Sequence, residues 1–451
     1  MDMLKRVRRR RRRVLESCKT LLIVLLAVSA VYLAARALVY SGLADTGPSG
    51  WVGTLLSLLR GEAQPPAATP ENGQPGMAAQ PVRIAIHSGT ERFAVQYDQG
   101  QVDGIYTSVG GLLGEALASA KTPRPITEEE WRLALQRSGV YFDLLGQVPL
   151  DALYAWMGGD AANPELTGTA RRLLVASTAG ANAALYYHNE TDGLYYACET
   201  SVDYAQRMED VLTGYGGNSA TFAFEFSADA GYGALDPYVL IFSSAPNPRS
   251  YRSASPLSAG DESTLTAIRS ALSFRSNSSY PIQGGGIMVR EDRETLQIME
   301  NGDVIYHASE PAASRYAVGD GSAGNTDVIE AAWRLADATL GSLCGSARLY
   351  LMGMDETQAG VEVRFGYSLD GAAVQLYEKG WCARFLIRSG KITDYTLHFR
   401  SYEETGEHTL VLRERQAAAA LAALGSGRRE LVLCYADGGG DTVEAGWIAG
   451  A

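Results

Sequence analysis

Five histidines, His87, His188, His307, His398 and His408, supply the side chains that exchange a proton near neutral pH. None stands in an HExxH arrangement, which would set two zinc ligands on one helix face. No GxSxG elbow is present, and nothing resembles a phosphate-binding P-loop. The run Gly319-Asp320-Gly321-Ser322-Ala323-Gly324 matches GxGxxG and precedes an amphipathic segment. A dinucleotide site there would need a buried parallel strand and a βαβ unit. The preceding SRYAVG is short and polar, so the glycines read as a helix-capping loop. Asp437 to Asp441, DGGGD, offers carboxylates to a cation but lies between two strand-like runs. It reads better as a hairpin turn, in which glycine supplies positive φ. Glu128, Glu129 and Glu130 fall in the first turn of a helix, where acids favour the dipole without any catalysis. Tyr186, Tyr187, Tyr195 and Tyr196 either line a groove or form cross-strand pairs. Cys18, Cys198, Cys344, Cys382 and Cys434 fit neither a zinc pattern nor a disulfide framework. Unpaired thiols are expected, with a Cys382–Cys434 bridge as the alternative. No catalytic set, metal site or cofactor site is expected from these residues.

The elements that would position these groups are mixed. VRIAIHSG and RFAVQYD alternate as strands joined at Ser88-Gly89. Helices are expected over 106–120 and 127–138, the second opened by a Thr127–Glu130 capping box. VYFDLLG is a strand, and Pro149 opens a short helix to Met157. ARRLLVAS, AALYYHN and GLYYACE are further strands, followed by helices near 202–213 and 263–273. GIMVRED, TLQIMEN and DVIYHAS form a meander. A helix over 327–343 places Ile329, Ala332, Trp333, Ala336, Leu340 and Leu343 on one face. Clean alternation over 361–367, 381–388 and 392–400 gives one buried and one wet face, which implies antiparallel pairing, with a turn at Ser389-Gly390-Lys391. A helix at 412–424 and strands at 430–436 and 442–448 end the chain. The class is α+β.

Charge divides the 451 residues sharply. Residues 1–40 carry ten Lys or Arg against two acids, and the remainder carries 29 basic and 49 acidic residues. So acidic a bulk has no reason to seek nucleic acid. Residues 21–40, LLIVLLAVSAVYLAARALVY, would form a helix of about 30 Å, the thickness of a bilayer core. Lys5, Arg6, Arg8, Arg9, Arg10, Arg11, Arg12 and Arg13 precede it and set topology: amino terminus in the cytoplasm, bulk of the chain outside. A cleaved signal peptide is the competing reading; the length of the apolar run favours a retained signal anchor. Ala27, Ala30 and Ala34 form a small-residue stripe, with Ser29 able to add a hydrogen bond, where a partner helix would approach closely.

The expected organisation is a basic cytoplasmic tail (1–19), a transmembrane helix (20–40), a Gly/Pro/Ala-rich linker (41–80), an α+β region (81–285) and a second α+β region (286–451). WVGTLLSLLR, residues 51–60, is the one apolar interruption of the linker.

Three features of the last region, RFGYSLDGAAV (364–374), ARFLIRSGKITDY (383–395) and the amphipathic helix before them, resemble the YycH/YycI family of membrane-anchored regulators from Gram-positive bacteria. In that family an aromatic-Gly-Tyr strand, a Gly turn and a Val precede a strand–Gly–strand hairpin. The specific likeness covers about a third of the chain and contains no catalytic motif. It implies a non-enzymatic, cell-membrane regulator of a two-component system that controls the cell wall. Its partner would be a WalK-type sensor histidine kinase, contacted through the membrane helix, and its ectodomain would pair with a sister YycI-like regulator or with a second copy. The competing readings are an anchored envelope-binding module for wall polymer or peptide, and a wall-acting enzyme.

Overall fold

The computed structural model describes residues 79–451 except 160–162, 190, 228–229, 234, 258–261, 276–278, 284, 320–323, 378, 424–430 and 450–451. The basic tail, the apolar span 21–40 and the segment 51–60 therefore lie outside the described residues. Among the described residues no helix is long and apolar enough to cross a membrane.

The fold is α+β, built on two large sheets. The first holds β1 (Arg83–His87), β2 (Arg92–Gln96), β3 (Arg124–Ile126), β4 (Gly139–Pro149), β5 (Thr169–Ser177), β6 (Asn182–Asn189) and β7 (Leu194–Asp203) in the order β2-β1-β4-β5-β6-β7-β3, every ladder antiparallel. Its central strands are buried on both faces. Ile84, Ile86, Val140 and Phe142 join the main core, while Ala85, Tyr141, Leu174 and Ala176 point into a second cluster on the opposite face. Helix α1 (Gln99–Ser119) contributes Val102, Val109, Leu113 and Leu117 to the first cluster, and α2 (Glu128–Leu135) gives Trp131 to the second. The expected capping box is present: Glu130 N–H donates to Thr127 Oγ1 at 3.2 Å and Thr127 N–H to Glu130 Oε2 at 2.9 Å. Helix α1 begins seven residues before its expected start. Gly100 and Gly104 weaken its first turns, which are held by Asp98, whose carboxylate accepts from Gln101 N–H, and by burial of Val102 and Ile105.

Helix α3 (Leu150–Trp156) follows Pro149. The expected helix near 202–213 is a π-helical turn, Tyr204–Met208, running into α4 (Glu209–Thr213). The short pair β8 (Thr221–Phe222) and β9 (Leu240–Ile241) covers the second cluster.

The larger sheet holds β10 (Arg249–Ala254), β11 (Ser279–Pro281), β12 (Gly286–Glu291), β13 (Glu294–Met299), β14 (Asp303–Ala308), β15 (Arg348–Thr357), β16 (Gly360–Leu369), β17 (Ala372–Leu376), β18 (Ala383–Arg388), β19 (Lys391–His398), β20 (Ser401–His408), β21 (Leu431–Asp437) and β22 (Thr442–Ala449). The order is β11-β12-β13-β14-β19-β18-β16-β17-β21-β22-β10-β20, with β15 also on β16. Strand β10, which falls in the region 81–285 of the sequence reading, thus belongs to this sheet. β17 and β21 run parallel; the other ladders among the described residues are antiparallel. Val363, Phe365 and Tyr367 are buried, while Glu362 and Arg364 are half-buried on the other face, where Arg384 Nη2 reaches Glu362 Oε2 at 2.5 Å. Ser389 and Gly390 both take positive φ (49° and 68°), the backbone of a two-residue hairpin loop that keeps the twist of β18 and β19.

Helix α5 (Glu262–Ala271) and α6 (Asn325–Ala336) pack into the core with Ile268, Ile329 and Trp333, and α7 (Glu414–Ala423) packs through Ala417, Ala418 and Leu421 on a third cluster. Helix α6 starts at Asn325 rather than 327; Asp327 then lies one turn in, and its Oδ2 accepts from Gly324 N–H at 3.0 Å. The two sheets share one continuous core, and they meet closely where β4 bulges. A Cβ on Gly146 would stand 1.8 Å from the carbonyl oxygen of Leu351.

Candidate functional site

One end of the larger sheet gathers more chemistry than any single motif announced. Asp303 begins β14 and His398 ends β19, and the two are direct partners in register. Their side chains meet across the ladder, His398 Nδ1 to Asp303 Oδ1 at 2.7 Å. Lys379, from the connection between β17 and β18, donates to the same oxygen, and Asn301 Nδ2 donates to Asp303 Oδ2 at 3.1 Å. Burial opposes ionisation of Asp303, but the hydrogen bonds from His398 and Lys379 outweigh it and hold its pKa down to about 2. The carboxylate is therefore a fixed negative charge among three nitrogen donors.

Behind this group stands a second ion pair. Arg400, just past β19, donates from Nε to Asp437 Oδ2 at 2.8 Å and from Nη2 to Asp437 Oδ1 at 2.9 Å. Arg400 Nη2 also donates to Ser253 Oγ and to the Gly440 carbonyl. Asp437 accepts further bonds from Tyr402 Oη and from Gly439 N–H, both at 2.8 Å. Burial works against the Arg400 charge, yet its hydrogen bonds to the Asp437 carboxylate raise its pKa above the ordinary guanidinium value. DGGGD is the hairpin turn between β21 and β22, as its glycines suggest, with Gly439 at φ 83°. Its first aspartate is fully committed to Arg400, Tyr402 and its own turn.

Between the two ion pairs lies a cleft of about 360 Å³. Its walls are the Asn301 turn, Lys379, His398 and Arg400, and the glycines 438 and 439. Tyr377 stands at its mouth, 74% exposed, beside the DGGGD turn, to which its own N–H donates through the Asp437 carbonyl. The Asp303 carboxylate holds His398 at Nδ1 and orients the ring, leaving Nε2 for a ligand. The cleft's hydroxyl, Ser255 Oγ, accepts from Leu257 N–H at 3.4 Å. The arrangement is chiefly a polar receptor: donors and acceptors held in place by buried charge.

The other singled-out residues have plain structural settings. Tyr187 stacks on Tyr196 with centroids 5.2 Å apart and His188 on Tyr195 at 4.4 Å, both as cross-strand pairs of β6 and β7. Glu128 pairs with Arg132 and accepts from Tyr238 Oη. His307 sits on Asp394 at 2.6 Å on the exposed face. Cys198, Cys344, Cys382 and Cys434 are reduced, none of them in a disulfide; Cys382 is buried and donates to the Phe365 carbonyl. Residues 320–323 of the GxGxxG run lie outside the described residues, as do Ala27, Ser29, Ala30 and Ala34 and the basic residues Lys5 to Arg13. Among the described residues, no group of three or more His, Cys, Asp or Glu is placed to hold a metal ion. Sequence reasoning passed over Asp303, Lys379 and Arg400. Each is ordinary in its local context, and only the β14–β19 and β17–β21 pairings bring them together.

No family model matches the chain, and no curated protein matches it. Among solved structures it is similar to the crystal structure of YycH from Bacillus subtilis, with a TM-score of 0.54 and 12% sequence identity. That likeness covers 84% of this chain and 95% of the other, well beyond the third that carries the sequence resemblance. The chain has a YycH-like fold.

Proposed function

We propose that this chain is a membrane-anchored, extracytoplasmic regulator of a sensor histidine kinase, WalK-type, in a two-component system governing the cell wall. The observation that carries the reading is the YycH-like fold over 84% of the chain. The sequence adds an apolar span at 21–40 behind eight basic residues, which would place the fold outside the membrane. Fold alone does not give function, so the role rests on the family resemblance and the anchor together.

In this mechanism the span packs laterally against kinase helices. Lipid supplies no hydrophobic drive between helices, so Ala27, Ala30 and Ala34 would permit close approach and Ser29 would add a hydrogen bond. The ectodomain, alone or paired with a sister YycI-like regulator, biases the kinase between two signalling states. The protein is not an enzyme on this reading, and it needs no cofactor.

Replacing residues 21–40 with an unrelated apolar span is the test. Kinase co-purification and the regulatory phenotype should both disappear while the ectodomain stays folded. Retained binding and signalling would rule the mechanism out. So would a topology reporter after residue 80 that stays inside the cell.

A further inference from the structure

We propose that the cleft between the Asp303–His398–Lys379 group and the Arg400–Asp437 pair binds a neutral, hydroxyl-rich ligand, a saccharide, with Tyr377 as its stacking platform. Three observations converge on that chemistry. The first is size: about 360 Å³ suits one or two sugar rings and lies within the usual range of small-ligand sites.

The second is the balance of unspent hydrogen-bonding capacity. Lys379 and His398 each use a polar hydrogen or nitrogen on Asp303 and keep others, and the Ser255 hydroxyl proton is uncommitted. The Glu300 carboxylate, exposed on the same rim, makes no hydrogen bond among the described residues. Donors and acceptors thus alternate around one concavity. An anion would meet Glu300 with Asp437 and Asp303 behind it, and a cation would meet Lys379 and Arg400. A ligand whose hydroxyls both donate and accept satisfies both sets without a net charge.

The third is Tyr377. A tyrosine 74% exposed at the lip of a polar cleft gains nothing from the core. Its ring face carries partial negative charge and suits the polarised C–H face of a pyranose.

The inference stands apart from the regulatory reading, because it is tested on the purified chain with no kinase present. The full-length chain in detergent is titrated with neutral oligosaccharides of two to four β-linked glucose or N-acetylglucosamine units. Saturation-transfer NMR and calorimetry are the readouts. Binding is expected, weakened about five- to tenfold by Tyr377→Ala and retained by Tyr377→Trp. Raising salt from about 0.1 to about 0.5 M should leave the affinity unchanged. Absence of saturation transfer from every neutral oligosaccharide would overturn the proposal. So would equal affinity in Tyr377→Ala, or an affinity that collapses with salt.

Discussion

Arg400 grips Asp437 through two parallel hydrogen bonds of 2.8 and 2.9 Å, with both side chains almost wholly withdrawn from water at 6% and 1% exposure. The pair fastens the turn that ends β21 to the strand after β19. Removing one member strands a buried charge, which typically costs about 3–5 kcal/mol. Arg400→Met and Asp437→Asn should each lower unfolding stability by that order in urea. The double variant should lose less than the sum, since neither charge is then left alone.

Asp303 gives the larger sheet a defined acid response. Its folded pKa of about 2 lies below the ordinary aspartate value of 3.8, so its contribution is complete above the unfolded pKa and fades as pH falls from about 4 toward 2. The shift corresponds to about 2 kcal/mol at neutral pH. Asp303→Asn should be less stable than the parent at pH 7, and thermal melts should show the difference closing near pH 2. A gap that persists there would mean that the asparagine distorts the site instead.

Glycines separate backbone approach from backbone freedom. Gly146→Ala drives a methyl group against the Leu351 carbonyl, within 1.8 Å, and should destabilise by at least about 1–3 kcal/mol as the sheets are forced apart. Gly111, exposed on α1, has open space where a methyl would go. Gly111→Ala should stabilise by about 0.5–1 kcal/mol through helix propensity. Calorimetric unfolding of the two variants should show shifts of opposite sign.

Thr127 is the cap of α2, a short helix carrying Trp131 into the second core cluster. Thr127→Ala should cost about 1 kcal/mol, with amide exchange in residues 128–131 rising before that of the rest of the chain.

Legibility followed the range of the interactions. The Thr127–Glu130 box, the Ser389-Gly390 loop and the alternation of Val363, Phe365 and Tyr367 depend on neighbours a few residues away, and the sequence displays each of them. Strand β17 escaped notice because five residues, AAVQL, carry little pattern, and its parallel partner lies some sixty residues on. Strand β20, SYEETGEH, is mostly exposed and therefore lacks an apolar face to betray it. The cleft was visible only in fragments. His398 and DGGGD stood out by composition, but no local signal joins Asp303 to His398, 95 positions apart, or Arg400 to Asp437. Such pairings are set by strand order, which short-range periodicity does not encode.

Strand β10, near the middle of the chain, lies between β22 and β20, and β17 waits on β21. During synthesis the edges of β10 and β17 that face β22 and β21 stay bare until residues 431–449 arrive. Completion of the larger sheet must therefore wait for β21 and β22, a slow step for contacts so distant along the polypeptide. Deleting β21 and β22 would leave sticky strand margins open to other molecules. Aggregation of a variant lacking residues 431–449 is the expected mark of that topology.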